Sequence, residues 1–402
     1  MNGVDSLRQH RSSYPALSER TYLNFGARGV MPRVAREAIL NSLDTLQSVG
    51  PASRAGIAWI EYELFATRRS LAALIGAPPE RIALLDSVSN ACSLVIFGIR
   101  WAASDHAVVC EFEPPGTWLA IEQASRRFGF EVSGFPAPTG PNDTQWREAL
   151  LRALRPSTRL VIASHINWIT GAHLAPSQLV SVVRASSAPR ALILVDGAQA
   201  IGVLPFELRS SEVDLYAFGG QKWLGGPDGI AALFVSESAQ NAVEPSIVGW
   251  RGLNPAPEID RLSLSSTAVR YEGGTAAYCL LAGLRAAVEA QQSFATLAER
   301  FASIEALTAR FRRQIAQMNA DATRPIQILG EDARSGITTF QIEGTCPSAV
   351  YRRLEGAGMV IKQHARPPSV RVCAHYLTLT EEIDQLCGQL RHFTHAGARP
   401  GA

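Results

Sequence analysis

Two ionisable residues of opposite charge follow two neighbouring apolar runs in the middle of the chain. The run ALILV leads directly into Asp196, and the run VDLYAF leads through Gly-Gly-Gln into Lys222. A lysine amine can form a Schiff base with pyridoxal phosphate, and such sites pair the pyridinium nitrogen with an acid so that the ring accepts electrons. Taken singly, a lysine after glycines is often a surface residue and an aspartate after a strand often caps a turn. The pair predicts a cofactor site, because both residues would reach the carboxyl edge of one sheet.

A third polar stretch lies where such a sheet would need a phosphate site. The β-like run RIALL ends in the turn Asp86 to Asn90, and an apolar helix follows it. The N-terminus of a helix offers free backbone N–H groups and the positive end of the helix dipole, so it can bind a phosphate. An ordinary helix cap has the same sequence pattern, and this turn alone does not separate the two interpretations.

Apolar strands alternate with amphipathic helices along most of the chain. Helical periodicity is clear over residues 34–49, 63–76 and 144–155, and GIAALFVS (229–236) completes a series of strands just after Lys222. This alternation predicts an α/β fold with a mostly parallel sheet between helices. We expect an N-terminal arm (1–17), a large domain that binds the cofactor (18–290) and a smaller C-terminal α/β domain (291–402).

Composition excludes several classes of protein. The chain has 402 residues, 47% of them hydrophobic, and 38 basic against 36 acidic residues give a net charge of +2. A chain with this charge balance has no strong electrostatic field that would attract nucleic acid or an anionic membrane. We find no apolar run long enough for a membrane span and no signal-peptide core, and so expect a cytoplasmic protein. The six cysteines form no CxxC pair and no zinc-ligand spacing, so no metal site is expected.

The stretch VDGAQAIG followed by AFGGQKWLGGPDG resembles the signature of the class V aminotransferase family of fold type I pyridoxal-phosphate enzymes. This family includes cysteine desulfurases, isopenicillin N epimerase and kynureninase, and the likeness extends to its cystine C-S lyases. Further segments have counterparts there in the same order: YLNFGARGVMP, SHINWITG, VGWRG, RYEGGTAAY and VRVCAHYLTLTEEI. An ordered series over nearly the whole chain is more specific than one short motif.

The resemblance implies roles around pyridoxal 5′-phosphate. Lys222 would be the Schiff-base lysine and the base that moves the α-proton, and Asp196 would keep the ring nitrogen protonated. The other implied cofactor contacts are Gln199 near the ring hydroxyl, Trp168 at the same edge, Ser89 and Asn90 at the phosphate, and Thr275, which would reach the phosphate from a second subunit. A homodimer with a shared site is therefore expected.

The implied substrate is a small amino acid. Arg371, in SVRVCAHY, matches the arginine of the small domain that binds the substrate carboxylate in this family, and the planar fork of guanidinium donors suits such a group. Asn24, in YLNFG, would also contact the substrate. An arginine in a strand near a surface is commonly just solvated, so this assignment depends on the resemblance.

The sequence departs from the family pattern at three of its site positions. Pro114 replaces the histidine that usually stacks on the ring; proline can cover the ring but cannot carry a proton. Gln221 replaces the histidine before the lysine, and its amide can still donate to the phosphate. Lys362 stands where the C-S lyases have another arginine, which predicts weaker carboxylate binding there.

The persulfide-forming cysteine of the desulfurases has no counterpart between Gln363 and Pro368. Cys373 fits a buried structural cysteine better than a nucleophile. His364 fits equally well as a replacement acid or base and as an exposed loop histidine with no role. We therefore predict a C-S lyase that cleaves cysteine, cystine or an S-conjugated cysteine by α,β-elimination. The alternatives are an epimerase or decarboxylating deaminase with the same cofactor, a desulfurase-like protein without the persulfide cysteine, and a non-catalytic homologue.

Overall fold

The computed structural model describes residues 3–140, 143–254, 262–330 and 334–394. The α-helices in these ranges are α1 (Gly3–Arg11), α2 (Arg33–Val49), α3 (Arg54–Leu74), α4 (Val88–Gly98), α5 (Pro115–Phe128), α6 (Gln145–Ala153), α7 (Pro176–Arg184), α8 (Glu237–Ala242), α9 (Tyr278–Phe294), α10 (Leu297–Asn319), α11 (Pro347–Gly356) and α12 (Thr380–Thr394). The strands are β1 (Thr21–Tyr22), β2 (Ile82–Leu85), β3 (His106–Cys110), β4 (Glu131–Phe135), β5 (Thr158–Ser164), β6 (Leu192–Asp196), β7 (Leu215–Gly219), β8 (Ala231–Val235), β9 (Ile326–Leu329), β10 (Ile337–Ile342), β11 (Met359–Val360), β12 (Lys362–Ala365) and β13 (Pro368–Cys373).

A seven-stranded sheet, in the order β2–β8–β7–β6–β5–β3–β4, is the centre of a large unit. Its strands lie between residues 82 and 235, and helices α3 and α9 pack on it from outside that range. β8 runs antiparallel to both of its neighbours, and the other pairs are parallel. Along β6, Ile193 and Val195 pack in one buried cluster while Leu192 and Leu194 pack in another. Both faces of the sheet are therefore covered, which is why its strands read as continuous apolar runs. The predicted α/β class with a mostly parallel sheet is confirmed.

A second, antiparallel sheet in the order β12–β13–β10–β9 belongs to a C-terminal unit that spans 297–394. Helices α10, α11 and α12 pack on this sheet, and Phe340, Val372 and Leu386 lie in their shared core. This is the smaller α/β unit that the sequence predicts. The exact domain limits, 18–290 and 291–402, stay a prediction.

The N-terminal segment packs mainly on the C-terminal unit. Residues of the predicted arm form α1, and Arg11 makes an ion pair with Glu382 at 2.6 Å. β1 pairs in parallel with β11, and Leu23 lies in the core of the C-terminal unit. The segment then crosses to the large unit, where the N–H of Gly29 donates to the carbonyl of Gln221 at 2.7 Å. Within the described ranges, no helix is both long and apolar enough to cross a membrane.

Candidate active site

Asp196 and Lys222 lie at the same edge of the large sheet. Asp196 ends β6, is 4% exposed and accepts a hydrogen bond from the N–H of Ala198 at 2.8 Å. Burial raises the pKa of its carboxyl group, and Lys222 lowers it. Burial lowers the pKa of the Lys222 amine, Asp196 raises it and Arg371 lowers it. Because burial lowers its pKa, this amine is suited to attack a carbonyl carbon and to exchange protons.

The N-termini of α4 and α5 meet beside this edge. The hydroxyl of Ser87 caps α4 by accepting a hydrogen bond from the N–H of Asn90 at 3.1 Å. A Cβ added at Gly116, in the first turn of α5, would lie 3.0 Å from the hydroxyl oxygen of Ser89. The side chain of Asn90 donates to the carboxylate of Asp86, so both its amide group and its backbone N–H have partners within this turn. The arrangement leaves unpaired N–H groups at two helix ends, which fit a phosphate.

Gln221 lies against the same region. A Cβ added at Gly219 would lie 2.4 Å from the amide oxygen of Gln221 and 3.3 Å from a methyl carbon of Val88, the first residue of α4. The amide therefore folds back over Gly219 toward the helix end. Gln221, Ser89 and Gly116 thus bring hydrogen-bond donors together at the helix ends, and donors of this kind fit the phosphate of pyridoxal phosphate.

Pro114 is positioned by its neighbour Glu113. Glu113 is 3% exposed, accepts the N–H of Ser164 at 2.6 Å and forms a second hydrogen bond, of 2.7 Å, with the hydroxyl of that serine. Burial raises the pKa of Glu113 to about 8, and Asp196 contributes in the same direction. These bonds attach the loop before α5 to the end of β5, so half-buried Pro114 is fixed at the edge where Asp196 and Lys222 lie.

Gln199 connects three segments of the chain. Its amide nitrogen donates to the carbonyl of Gly26 at 2.8 Å, and its amide oxygen accepts the indole N–H of Trp223 at 2.8 Å. Because the amide group carries two hydrogens, one donor remains for a ring hydroxyl. The predicted role of Gln199 is compatible with these contacts.

Arg371 lies on β13 and is 1% exposed. One guanidinium nitrogen donates to the carbonyl of Trp168 at 2.8 Å, and another lies 3.5 Å from the side-chain oxygen of Asn24. The carbon at the centre of the guanidinium is 5.9 Å from the centre of the Trp168 ring. Its Nε has no hydrogen-bond partner, and no carboxylate of the described residues forms an ion pair with it. A buried cation with spare donors is suited to bind a carboxylate from outside the chain.

Of the two alternatives that the sequence left open for His364, the exposed loop histidine is wrong. His364 lies in β12, is 4% exposed, and its ring is 4.9 Å from that of Trp168 in an edge-to-face arrangement. Burial, Arg371 and Lys362 together lower the pKa of His364 to about 4. The imidazole is therefore neutral at pH 7, and a protonated acid at this position is disfavoured.

Lys362 faces Arg371 across the β12–β13 pair. Residues directly opposite in an antiparallel pair point to the same side of the sheet, so this exposed lysine accompanies the buried arginine. Lys222 and Lys362 are the only two lysines among the 38 basic residues of the sequence. Both of them thus lie near the candidate site.

Sequence reasoning missed the contribution of Gly26 and Gly29. A Cβ at Gly26 would lie 2.9 Å from the sulfur of Cys373, and one at Gly29 would lie 1.9 Å from the carbonyl oxygen of Lys222. Cys373 is fully buried, and burial raises the pKa of its thiol, as expected of a structural cysteine. The glycines in YLNFGARG were the available signal, since close approach of two backbones requires glycine.

Thr275 is exposed in the loop before α9. With Asp86, Asn90 and Arg251 it lines a cavity of about 280 Å³ on the outer side of the α4 N-terminus. No contact of Thr275 with Lys222 or Asp196 is found within this chain. Its contact with the cofactor of a second subunit stays a prediction.

A family profile and a known protein each match most of this chain. The profile of the class-V aminotransferase family matches residues 57–378. Isopenicillin N epimerase of Streptomyces clavuligerus is 29% identical over 399 residues, which cover 92% of this chain and 94% of that protein.

Two solved structures of the cystine C-S lyase C-DES superpose closely. A lysine-to-alanine variant with glycine covalently linked to its pyridoxal-phosphate cofactor has a TM-score of 0.89 and 32% identity, over 95% of this chain and 99% of the other. The complex of C-DES with its reaction product cysteine persulfide has a TM-score of 0.87 and 31% identity, over 94% and 99%.

Proposed function

Because the chain belongs to the class-V aminotransferase family and takes pyridoxal 5′-phosphate as its cofactor, we propose that it is a carbon–sulfur lyase. It cleaves cysteine, cystine or an S-conjugated cysteine by α,β-elimination. In the net reaction, the substrate and one water give a thiol, pyruvate and ammonia. The observation that carries the proposal is the likeness to C-DES, which extends over 95% of the chain at a TM-score of 0.89.

The residues that hold the cofactor in this proposal are those at the sheet edge. Lys222 binds it covalently, and Asp196 accepts the hydrogen bond of the protonated ring nitrogen. The remaining contacts are Gln199 at the ring hydroxyl, Pro114 on the ring face, Trp168 at its edge, and Ser89, Asn90 and Gln221 at the phosphate. When bound, pyridoxal phosphate supplies an electron sink for the pair left behind when the Cα–H bond breaks.

The substrate is oriented by its carboxylate. Arg371 binds this group through donors that have no carboxylate partner among the described residues, and Asn24 lies beside it. The Nζ of Lys222, released when the substrate amine takes its place on the cofactor, would then accept the α-proton, and the lowered pKa of this amine favours the neutral form that can do so. The Cβ–S bond breaks with its electron pair on sulfur, and the thiolate takes a proton from solvent. A thiolate leaves readily, so the absence of an acid at Pro114 does not prevent this step.

Two observations favour elimination over desulfuration. The segment that would carry a persulfide cysteine forms the tight turn between β12 and β13, where Ala365 pairs with Pro368, and it contains no cysteine. Cys373 is fully buried.

We also propose a homodimer in which Thr275 contributes to the cofactor site of the other subunit, and a cytoplasmic location.

The reaction is tested by incubating the holoenzyme with cystine and a series of S-substituted cysteines. Thiol and pyruvate should appear in equal amounts, or persulfide and pyruvate with cystine. Release of sulfide with alanine would instead identify a desulfurase. If no substrate of the series yields pyruvate, the lyase proposal is wrong.

An amino-acid epimerase is the second candidate. It is favoured by the 29% identity with isopenicillin N epimerase over 92% of the chain. Both reactions begin with removal of the α-proton by Lys222, so the outcome depends on whether a leaving group is present at Cβ. Reaction in deuterium oxide separates the two, since an epimerase would return substrate that carries deuterium at Cα and has both configurations.

A further inference from the structure

A buried carboxylate, that of Glu272, lies between two arginines beneath the loop that carries Thr275. Arg68 comes from α3 and Arg251 from the short 3₁₀ helix Trp250–Gly252. The guanidinium of each arginine donates to a different oxygen of the Glu272 carboxylate. The side chains of Glu272, Arg251 and Arg68 are only 1%, 7% and 11% exposed. We call these three residues the ionic triad.

The ionic triad ties the loop to the large sheet on one side and supports its backbone on the other. The N–H of Leu84, on β2, donates to the carboxylate of the triad at 2.9 Å. The N–H of Arg251 donates to the carbonyl of Gly273 at 3.2 Å, and its guanidinium donates to the carbonyl of Gly274 at 3.4 Å. The two backbone positions before the threonine are therefore fixed by the same arginine.

The loop also packs closely on the segment before Arg251. A Cβ added at Gly249 would lie 2.6 Å from the carbonyl oxygen of Gly273 and 3.0 Å from the backbone nitrogen of Gly274, so this approach requires glycine. In contrast, Gly274 and Thr275 are exposed, and a Cβ added at Gly274 would meet no described atom within 4 Å. The tip of the loop is thus open to solvent above a buried, closely packed support.

Exposed apolar side chains surround this support. Ile247, Val248 and Trp250 are each more than half exposed. They lie next to the contact between Gly249 and the loop, and a Cβ added at Gly273 would lie 3.4 Å from Ile247. Apolar and aromatic side chains grouped around an exposed loop are typical of a surface that contacts another subunit.

The ionic character of the support calls for a reason other than stability. Burying three charges costs solvation energy, and apolar side chains of similar volume often give equal or greater stability. What the charged groups add is direction, because a planar guanidinium binds a carboxylate and further acceptors in fixed orientations. The triad therefore suits a loop whose exposed tip must be held in one position.

We propose that the ionic triad positions Thr275 for the cofactor phosphate of a second copy of this chain. The proposal rests on the homodimer stated under the proposed function, in which Thr275 reaches the site of the other subunit. Arg68, Arg251 and Glu272 are positioning residues that act through this threonine. The apolar side chains around the loop form part of the contact between the two subunits.

The first measurement is the affinity of the apoprotein for pyridoxal phosphate. Arg251→Met keeps the pair of Arg68 with Glu272 and removes the support of the loop. The dissociation constant should rise by about tenfold or more, as expected when a hydrogen bond to a charged group is lost. Thr275→Ala should give a similar rise, and the double variant should bind no more weakly than Thr275→Ala, since changes that act through one contact do not add. Wild-type affinity in Arg251→Met would overturn the proposal.

Arg184→Met is the matched control. It removes an ion pair with another buried carboxylate, that of Asp214, from α7, and should leave the affinity unchanged. An equal rise of the dissociation constant in this control would show a general loss of stability and overturn the proposal. If Arg251→Met does not fold, Arg251→Lys replaces it, because lysine keeps the charge opposite Glu272 and loses the fork that reaches the loop.

Heterodimers show in which subunit the triad acts. In the first, one subunit carries Lys222→Ala and the other Arg251→Met, so the only Lys222 is served by an intact loop from the other subunit. Cofactor linked to this lysine, counted by mass spectrometry after borohydride reduction, should show wild-type affinity. In the second, one subunit carries both changes and the other is wild type, and the remaining Lys222 should show the weak affinity of the Arg251→Met dimer.

The reverse pattern would place the action of the triad within its own subunit, beside the cavity that Thr275 shares with Asp86 and Asn90, and would overturn the proposal. Equal affinities in the two heterodimers would also contradict it. Failure of the proposed reaction is separate, since it would appear as absence of pyruvate and none of these measurements depends on turnover. A monomeric holoenzyme in sedimentation would refute both the homodimer and the role of the triad across it.

Discussion

Arg371 donates from its guanidinium to the backbone carbonyl of Trp168 at 2.8 Å, although 203 residues separate the two along the chain. The contact joins the C-terminal unit to the turn after β5 in the large unit. It fixes the direction of the remaining donors, which is the property required of a carboxylate site.

Replacing Arg371 with lysine should lower kcat/KM for the amino-acid substrate by roughly 10- to 100-fold, since a hydrogen bond to a charged group contributes about 1.5–3 kcal/mol. The charge remains, but the fork that reaches Trp168 and the substrate together is lost. Steady-state kinetics measure the effect. Arg310→Lys is the matched control, because Arg310 is a partly exposed arginine bound to Asp384. An equal loss of kcat/KM in both variants would contradict a specific role of Arg371 in binding the substrate.

Replacing Lys222 with alanine should abolish the visible absorption band of lysine-bound pyridoxal phosphate while the protein stays folded. The chain has only one other lysine, Lys362, so borohydride reduction of the wild type followed by mass spectrometry has two possible products. The mass of the reduced cofactor should be found on Lys222 alone. Lys362→Ala should keep the band, and a label on Lys362 would contradict the assignment.

Replacing Gly29 with alanine should weaken cofactor binding by about tenfold or more, because overpacking of a close contact typically costs 1–3 kcal/mol. The new Cβ would lie 1.9 Å from the carbonyl oxygen of Lys222, so the backbone that carries the lysine must move. Titration of the apoprotein with pyridoxal phosphate gives the affinity. Gly388→Ala, in α12 with nothing within 4 Å of its added Cβ, should leave the affinity unchanged and stabilise the helix.

Replacing Glu113 with glutamine should stabilise the protein at pH 8.5 and have little effect at pH 4.5. The folded protein raises the pKa of Glu113 from 4.5 to about 8, so its contribution to stability is complete below the unfolded pKa and is lost as pH rises through the folded one. Glutamine can keep both bonds to Ser164 without ionising. We expect a gain of about 1 kcal/mol or more at the higher pH.

Denaturant unfolding of wild type and Glu113→Gln at both pH values is the measurement. A difference between the two proteins that is the same at pH 4.5 and 8.5 would show that Glu113 does not titrate in this range. Glu63→Gln, at another buried glutamate on α3 that pairs with Arg285, serves as the control.

Much of the large unit follows from local sequence. The runs before Asp196 and Lys222 form β6 and β7 because both faces of the sheet are covered and every position can be apolar. Their polar ends reach one edge because parallel strands share a direction. Asp196 and Lys222 were therefore predictable as neighbours from their position after two strands.

Other features depend on contacts that no local pattern contains. Helix α3 begins at Arg54, before the predicted range 63–76, because Ser53 caps it by accepting the N–H of Gly56, while its first turns expose apolar residues such as Ile57. His364 is buried, and Trp168 from the other unit packs on it. Long-range packing of this kind overrides the polar character of the local sequence.

The pairing of β1 with β11 also affects when the cofactor pocket can be completed during translation. β1 pairs with β11, which is translated long after it, and the stretch between β1 and Gly29 lies against Lys222 and Arg371. The large sheet can form while the chain is still being made, but the cofactor pocket stays open on one side until the final strands emerge. We therefore expect nascent chains that stop before β11 to leave β1 without its partner, so that stable loading of pyridoxal phosphate requires that β11 has been made.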